Sequence, residues 1–345
     1  MQRRHFLKSA LAFGSLSLSP IALFAQDSAL EKPPIGNLGE VFEKGLSCYP
    51  DTMESRHQIY QLWVRNDNSV LTSYRAHPTQ KYPYFYPVAG PKSGLSLTAE
   101  SGSPWAHHRS LFLGLDKVNG CNFWYDSVSS GQIVSQGPTF AKREDGQFQI
   151  DATSAELTDL CFWKQPNKEP IIKDERRFVF HILDDKRYVI DAFFTFTALI
   201  DISIEQSNHG FFGIRTAPDL APMGGGVMIN ADGNQGQANT HGKPSRWLAF
   251  YGTRCGLQEK IVEGIAVLRP TKTSHSEFDN CPWFTRDYGN CSPMPMDFFH
   301  KDKPMHLPKG DALQLRYRVV AFEGTPKDAG LDDLWTEFDG ILKPV

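Results

Sequence analysis

Leu313–Phe322 sets the terms for this chain: Leu313, Leu315, Tyr317, Val319 and Ala321 fall on one face of an extended segment, while Gln314, Arg316 and Arg318 begin the other. A two-residue period can bury one side only as a β-strand, because successive strand side chains point to opposite faces. The same reading finds strands at Gln58–Asn66, Ser69–Tyr74, Gly131–Ser135, Phe148–Thr153, Leu160–Lys164, Arg176–Leu183, Tyr188–Thr197 and Ile261–Leu268. In Tyr188–Thr197 both faces become apolar, which calls for protein on both sides. A helical period occurs once, at Ala329–Ile341, where Leu331, Leu334, Trp335 and Phe338 follow the i, i+3, i+4, i+7 spacing and Asp328 is placed to cap the start. So many strands and so little helix predict an all-β fold, a large antiparallel β-sandwich over residues 50–345 with long loops converging on one side and one C-terminal helix. The strand–helix alternation of an α/β enzyme is absent.

Two local features refine this. Lys81–Pro91 (KYPYFYPVAGP) holds three prolines, which cannot donate to a ladder and so predict an edge strand or extended wall. Asn119-Gly120 between apolar runs predicts a tight hairpin, since both residues tolerate the positive φ of a primed turn. Period-two alternation would then place His107 and Arg109 on one face of the incoming strand and His108 and Ser110 on the other. The returning strand carries Asn122, Trp124 and Asp126. Imidazole, guanidinium, amide, indole and carboxylate thus gather in Pro104–Asp126, an inventory suited to a hydroxyl-rich ligand with one face stacked on an aromatic ring.

The first 25 residues, with Arg3-Arg4 ahead of a short apolar, serine-rich run ending at Ala25, read as a twin-arginine-type signal peptide and predict a periplasmic protein. Residues 26–49 read as an extended lead-in. No later run is long enough to span a membrane. A net charge of −3 with both signs interspersed gives no footprint for nucleic acid. Six cysteines without a C-x-x-C spacing make neither a disulfide scaffold nor a zinc motif, although Cys281 and Cys291 bracket a loop that a disulfide would staple.

Carbohydrate cleavage needs an acid and a base, or a nucleophile, with groups that hold ring hydroxyls. Glu100, Asp116, Asp126, Asp191, Glu205 and Asp287 are the candidate carboxylates. Asp116, three residues ahead of the turn, reads as solvent-exposed, whereas Glu205 lies four residues from His209 and nearer a loop site. His107, His108, Glu205, His209 and Tyr288 are therefore the candidate catalytic residues. Arg109, Asn119, Asn122, Trp124, Arg215, His241, Lys243, Trp247, Trp283 and Arg286 are the candidate substrate-binding residues, with Trp124 or Trp247 stacking on a sugar. Hydrolysis of a glycosidic bond is the preferred reading; elimination on a uronate-containing glycan, aldose epimerisation and a non-catalytic carbohydrate-binding module stay open. No cofactor is expected. A divalent metal on His107-His108 with His209 or His241 stays open as well, but an H-x-x-x-H or H-E-x-x-H spacing is absent.

Several of these motifs, namely Tyr82–Pro87 with Gly90, PWAHHRSLFLGLDKVNGCNFW, HGFFGIRTA, HGKPSRW and WFTRDYG, resemble the family labelled PmoA-like ("methane oxygenase PmoA"). The likeness runs from about Pro83 to the terminal helix. It implies a β-sandwich of mutarotase-type supersandwich layout, in a family found among bacterial polysaccharide- and sugar-utilisation proteins. The motif residues matched are His107, His108, Arg109, Asn119, Asn122, Trp124, His209, Arg215, Lys243, Trp247, Trp283, Arg286 and Tyr288. Cys121 and the Asn290-Cys291 pair depart from the family pattern. Membrane methane oxygenase spans the bilayer many times, and this chain has no such segments.

Overall fold

The computed structural model describes residues 45–50, 61–67, 69–142, 150–293 and 304–341, all within a unit running from Asn37 to Val345. The signal peptide and the lead-in up to residue 44 lie outside the described residues. In chain order the first strands are β1 (Leu46–Pro50), β2 (Gln61–Asn66), β3 (Ser69–Arg75), β4 (Tyr84–Val88), β5 (Leu111–Leu113), β6 (Gln132–Ser135) and β7 (Thr139–Phe140). The long strands β8 (Ser154–Lys164), β9 (Pro170–Ile182) and β10 (Arg187–Ala198) follow, then β11 (Ile202–Ile204), β12 (Phe212–Arg215) and β13 (Val227–Asn230). After a one-turn helix, α1 (Gln237–Thr240), come β14 (Trp247–Thr253), β15 (Val262–Leu268), β16 (Phe284–Arg286) and β17 (Asn290–Ser292). The last are β18 (Met305–Leu307), β19 (Ala312–Glu323) and the terminal helix α2 (Leu331–Asp339).

These strands form an eight-stranded sheet in the order β1-β2-β3-β4-β5-β12-β17-β16 and a nine-stranded sheet in the order β13-β14-β15-β19-β10-β9-β8-β6, with β7 also on β8. Strands β11 and β18 pair separately. The sheets meet through aromatic side chains: Phe178 of β9 lies between Tyr74 and Phe85 of the smaller sheet, at 5.4 and 4.8 Å between ring centroids. Phe212 of β12 stacks on Tyr317 of β19 at 4.9 Å. Trp163 is fully buried in this layer, and its indole N–H donates to Asp174 at 3.0 Å. The same Asp174 oxygen receives Arg176 Nη2 at 2.6 Å, so a charge pair with almost no solvent access is tied to one of the largest core side chains.

The larger sheet is covered on its other face too. Val189, Trp247, Ala266, Leu268, Val320 and Phe322 form a second apolar cluster with Leu331, Leu334 and Phe338 of α2. Strand β10 contributes Tyr188, Ile190, Ala192, Phe194 and Phe196 to the inter-sheet core and Val189 to this outer one. Its two apolar faces thus have protein on both sides.

Five local expectations are corrected. Strand β4 is interior, hydrogen-bonded to β3 and β5. Its prolines are accommodated because Pro83 and Pro91 fall outside the strand, and Pro87 sits where the β3–β4 register shifts between Thr72 and Tyr74. Asn119 (φ 48°) and Gly120 (φ 72°) do form the tight turn, but its ladder is one bridge, Val118 to Cys121. The segments on either side leave as loops, so His107 to Arg109 precede β5 and alternation does not govern them. Helix α2 begins at Gly330 without a side-chain cap, because the Asp328 carboxylate accepts instead from the backbone and hydroxyl of Thr325. Phe148–Thr153 forms no strand among its described residues, only the bridge Ile150 to Ala155. Cys281 and Cys291 are both buried thiols and form no disulfide with each other to staple the loop.

Removing one member of a buried pair strands the other charge. Asp174→Ala is expected to cost about 3–5 kcal/mol of unfolding free energy, measured by urea denaturation followed by tryptophan fluorescence.

Candidate functional site

Strands β5, β12, β17 and β16 are consecutive neighbours in the smaller sheet, and the segments entering or forming them line one cleft of about 300 Å³. Ahead of β5 come Trp105, His107 and His108; beyond it, Trp124 and Tyr125; ahead of β12, Asn208 and His209. The β16–β17 hairpin adds Phe284, Arg286, Tyr288 and Asn290. That hairpin turns at Gly289, whose φ of +90° and close approach to Thr216 leave no room for a β-carbon.

The rings are packed in sequence. His107 meets His108 edge-on at 4.5 Å and Tyr125 at 4.7 Å; Tyr125 meets His209 at 4.9 Å; His209 stacks on Trp124 at 5.2 Å. Tyr288 lies parallel to His108 at 6.2 Å.

A hydrogen-bonded chain runs through this group. The Tyr125 hydroxyl lies 2.9 Å from His209 Nε2, and His209 Nδ1 faces Asp116 Oδ2 at 3.3 Å. Asp116 Oδ1 accepts from the Lys117 amide and from Asn122 Nδ2, both at 2.7 Å. The Asn122 side-chain oxygen in turn accepts the Trp124 and Tyr125 amides. One turn residue therefore orients both the acid and the aromatic pair. Burial pushes Asp116 upward, but hydrogen bonds from His209, Lys117 and Ser207 outweigh it and hold the carboxyl below its ordinary value.

The opposite charge is less well matched. Arg215 of β12 is 4% exposed, donates to the Ser103 carbonyl at 2.6 Å and lies 4.6 Å from the centre of the Tyr288 ring. Among the described residues no carboxylate pairs with Arg215 or with Arg286. Buried Arg215 Nε and Nη1, His108 Nδ1, Trp124 Nε1 and Asn290 Oδ1 have no hydrogen-bond partner among the described residues. Unmet polar atoms are costly in a core and gather where a ligand completes them. Burial first, then His209, brings His107 down to about 4 from an ordinary 6.5; burial and then His107 and Arg215 bring His108 to about 2. Both imidazoles are neutral at physiological pH. Burial raises Tyr288 despite the opposing pull of Arg286 and Arg215, and it raises Tyr125 as well.

Of the residues singled out in the sequence, His107, His108, Trp124, His209, Arg286 and Tyr288 line the cleft. Asn122 and Arg215 support it from behind. His241 packs edge-on against Phe284, within 3.2 Å of Arg286. Arg109 turns away to pair with Asp126 at 2.9 Å, and Asn119 fastens the turn to Asp201 and Ser203. Glu205 is exposed and is not among the lining residues; its amide reaches the Lys117 carbonyl. Lys243 is exposed and joins Trp283 through the main chain, and Trp283 is buried with its indole N–H on Ser245. Trp247 lies under α2, with its indole N–H on Asp332, away from any stacking position in the cleft. Sequence reading missed Trp105, Tyr125, Asn208, Phe284 and Asn290 as liners and took Asp116 for a solvent residue. Among the described residues no three His, Cys, Asp or Glu side chains converge as a metal-binding group.

Residues 61–336 match the model of a family described as a family of unknown function (DUF6807). The chain belongs to this family. That match corrects the expected PmoA-like membership, and no helix among the described residues is long and apolar enough to cross a membrane. No curated protein matches the chain. Among solved structures the chain is similar to galactose 1-epimerase from Lactobacillus acidophilus NCFM, with 8% identity and a TM-score of 0.38 over 82% of this chain and 100% of that one. It is also similar to a candidate aldose 1-epimerase from Klebsiella pneumoniae subsp. pneumoniae MGH 78578, with 10% identity and a TM-score of 0.36 over 89% and 96%. A polysaccharide lyase matches with 11% identity and a TM-score of 0.26, over 83% of this chain and 34% of the lyase.

The neutral histidines give a pH signature. Both bind fewer protons in the folded state than in the unfolded chain, so the stability they contribute is complete above about pH 6.5 and is lost as pH falls from there through about 4 for His107 and towards about 2 for His108. The melting temperature is expected to drop over that window, and His108→Phe, which keeps a ring against Phe112 and Tyr288, to flatten the drop. Calorimetry across pH checks both.

Proposed function

We propose that the cleft binds a saccharide carrying a carboxylate and cleaves it by β-elimination. The observation that carries this reading is the pair of guanidinium groups, Arg215 and Arg286, without acid partners among the described residues, beside the Asp116–His209–Tyr125 chain. A buried cation lacking a counterion favours an anionic ligand group, and the same charge stabilises the enolate that forms when the neighbouring carbon loses its proton.

The cleft residues divide the work as follows. Tyr125 passes its phenolic proton to His209, whose imidazolium is stabilised by Asp116, and the phenolate takes the proton on the carbon beside the substrate carboxylate. The electron pair of that C–H bond becomes the new C=C bond, and the C–O bond to the leaving sugar breaks. Tyr288, kept protonated by burial, donates a proton to the departing oxygen. Arg286 holds the carboxylate in the cleft, and Arg215 adds positive charge from behind Tyr288 throughout. Hydrolysis by a carboxylate pair finds less support, because no Asp or Glu is among the residues lining this cleft. Export through the leader at residues 1–25 would place this chemistry in the periplasm, which cell fractionation with antibody detection checks.

The test is to incubate the protein with neutral and uronate-containing oligosaccharides and to weigh the products. Elimination gives fragments whose masses sum to that of the substrate, with a new near-ultraviolet absorbance from the conjugated double bond. Fragments heavier by one water would replace this reading with hydrolysis. Unchanged mass with faster anomeric exchange would replace it with epimerisation, and binding without either with a recognition module. Tyr125→Phe and His209→Ala are expected to lower kcat by roughly 10²–10⁴-fold, the usual contribution of general acid–base groups. Glu205→Gln should leave kcat unchanged.

A further inference from the structure

Beside the cleft lies a second and larger depression of about 610 Å³, lined by Thr79, Lys81, Arg109, Asp126, Ser130 and Gln132 among others. The two spaces share their wall segments. Arg109 follows His107-His108 in sequence, Asp126 follows Trp124-Tyr125, and the 2.9 Å ion pair between Arg109 and Asp126 ties the two segments together on the groove side.

The floor of the groove is built in advance. Lys81 is half-buried and donates to the main-chain carbonyls of Asn122, at 3.2 Å, and Gly131. An ammonium has three donors, so one is left for a ligand. Burial draws Lys81 down to about 8, which keeps it mostly charged at neutral pH. Gln132 is fixed by two carbonyls, those of Pro78 and Gln80, the latter at 2.7 Å. Gly131 lies so close to Phe123 that a β-carbon there would meet the ring at 2.4 Å. Fixed amide, ammonium and hydroxyl groups of this kind recognise a hydroxyl-rich ligand with little ordering cost. Asn122 is common to both spaces: its side chain orients Asp116, Trp124 and Tyr125, and its carbonyl holds Lys81.

We infer that this groove is the binding subsite for the sugar units next to the reacting ring, so that the substrate is an acidic oligosaccharide spanning both cleft and groove. The inference rests on the proposed function and adds to it a substrate length and a second acidic unit, which Lys81 and the outer face of Arg109 receive. Trp105, 46% exposed at the rim of the cleft and tilted toward His107, offers a ring face at its mouth.

The test is a chain-length series. Uronate disaccharide, trisaccharide and tetrasaccharide are assayed with the wild-type protein and with Thr79→Trp, a substitution at an exposed groove position that fills the space; circular dichroism and thermal melting confirm that the variant folds. Wild-type kcat/KM is expected to rise about tenfold or more from disaccharide to tetrasaccharide, equivalent to at least about 1.4 kcal/mol of added transition-state binding. In Thr79→Trp that ratio should fall towards one. Lys81→Met should lose more of the gain on acidic than on neutral longer chains. Turnover of the disaccharide with no length dependence, or a length dependence that Thr79→Trp leaves intact, overturns the groove assignment and leaves the elimination reading standing. Absence of turnover at every length overturns the elimination reading and the groove assignment together.

Discussion

The carboxylate of Asp116 is the contact on which the cleft depends. It receives Asn122, the Lys117 amide, Ser207 and His209, and so joins the turn after β5 to the loop ahead of β12. Those two segments are distant in sequence and supply touching members of the ring cluster. An ionised acid in this position fixes which imidazole nitrogen of His209 bears the proton, and thereby whether Nε2 can accept from Tyr125. Without it, His209 would keep its stacking on Trp124 but lose its orientation.

The sandwich explains why such a cluster can exist. Two sheets packed through Tyr74, Phe85, Phe178, Phe212 and Tyr317 form a rigid support, and the Trp163–Asp174–Arg176 group locks the larger sheet from within. Helix α2 covers the outer face of the larger sheet over β10, β14, β15 and β19, and the polar groups of the cleft gather at the smaller sheet. There the excess of guanidinium over carboxylate and the unpartnered atoms of His108, Trp124, Arg215 and Asn290 are held at a cost the packed core offsets.

The long strands were legible because their period is a local property. Tyr188–Thr197 and Leu313–Phe322 carried two-faced and one-faced alternation that no tertiary contact had to supply, and the helix after Ala329 was equally visible. Lys81–Pro91 was misread because proline counts as an edge signal only if it falls within a regular ladder, whereas here the prolines flank the strand or sit at a register shift. His107 to Arg109 were misread in direction for a similar reason: the turn at Asn119-Gly120 is real, but its ladder ends after a single bridge. Trp247 and Trp283 looked like binding residues because an aromatic beside basic residues is the same string whether it faces a ligand or a helix.

Sequence alone determined the all-β class, the terminal helix, the tight turn and the richness of the 104–126 stretch in ligand-holding groups, since each follows from spacing within a few residues. Only the tertiary structure decided which of those groups share a space. It joined Asp116 to His209 across ninety-three residues and brought Tyr288 beside His108, while sending Trp247 to the far face and leaving Glu205 in solvent. The physical reason is that strand order in a sheet is set by which apolar faces pack together. The neighbours β5, β12, β17 and β16, which carry the cleft, come from three separate parts of the chain.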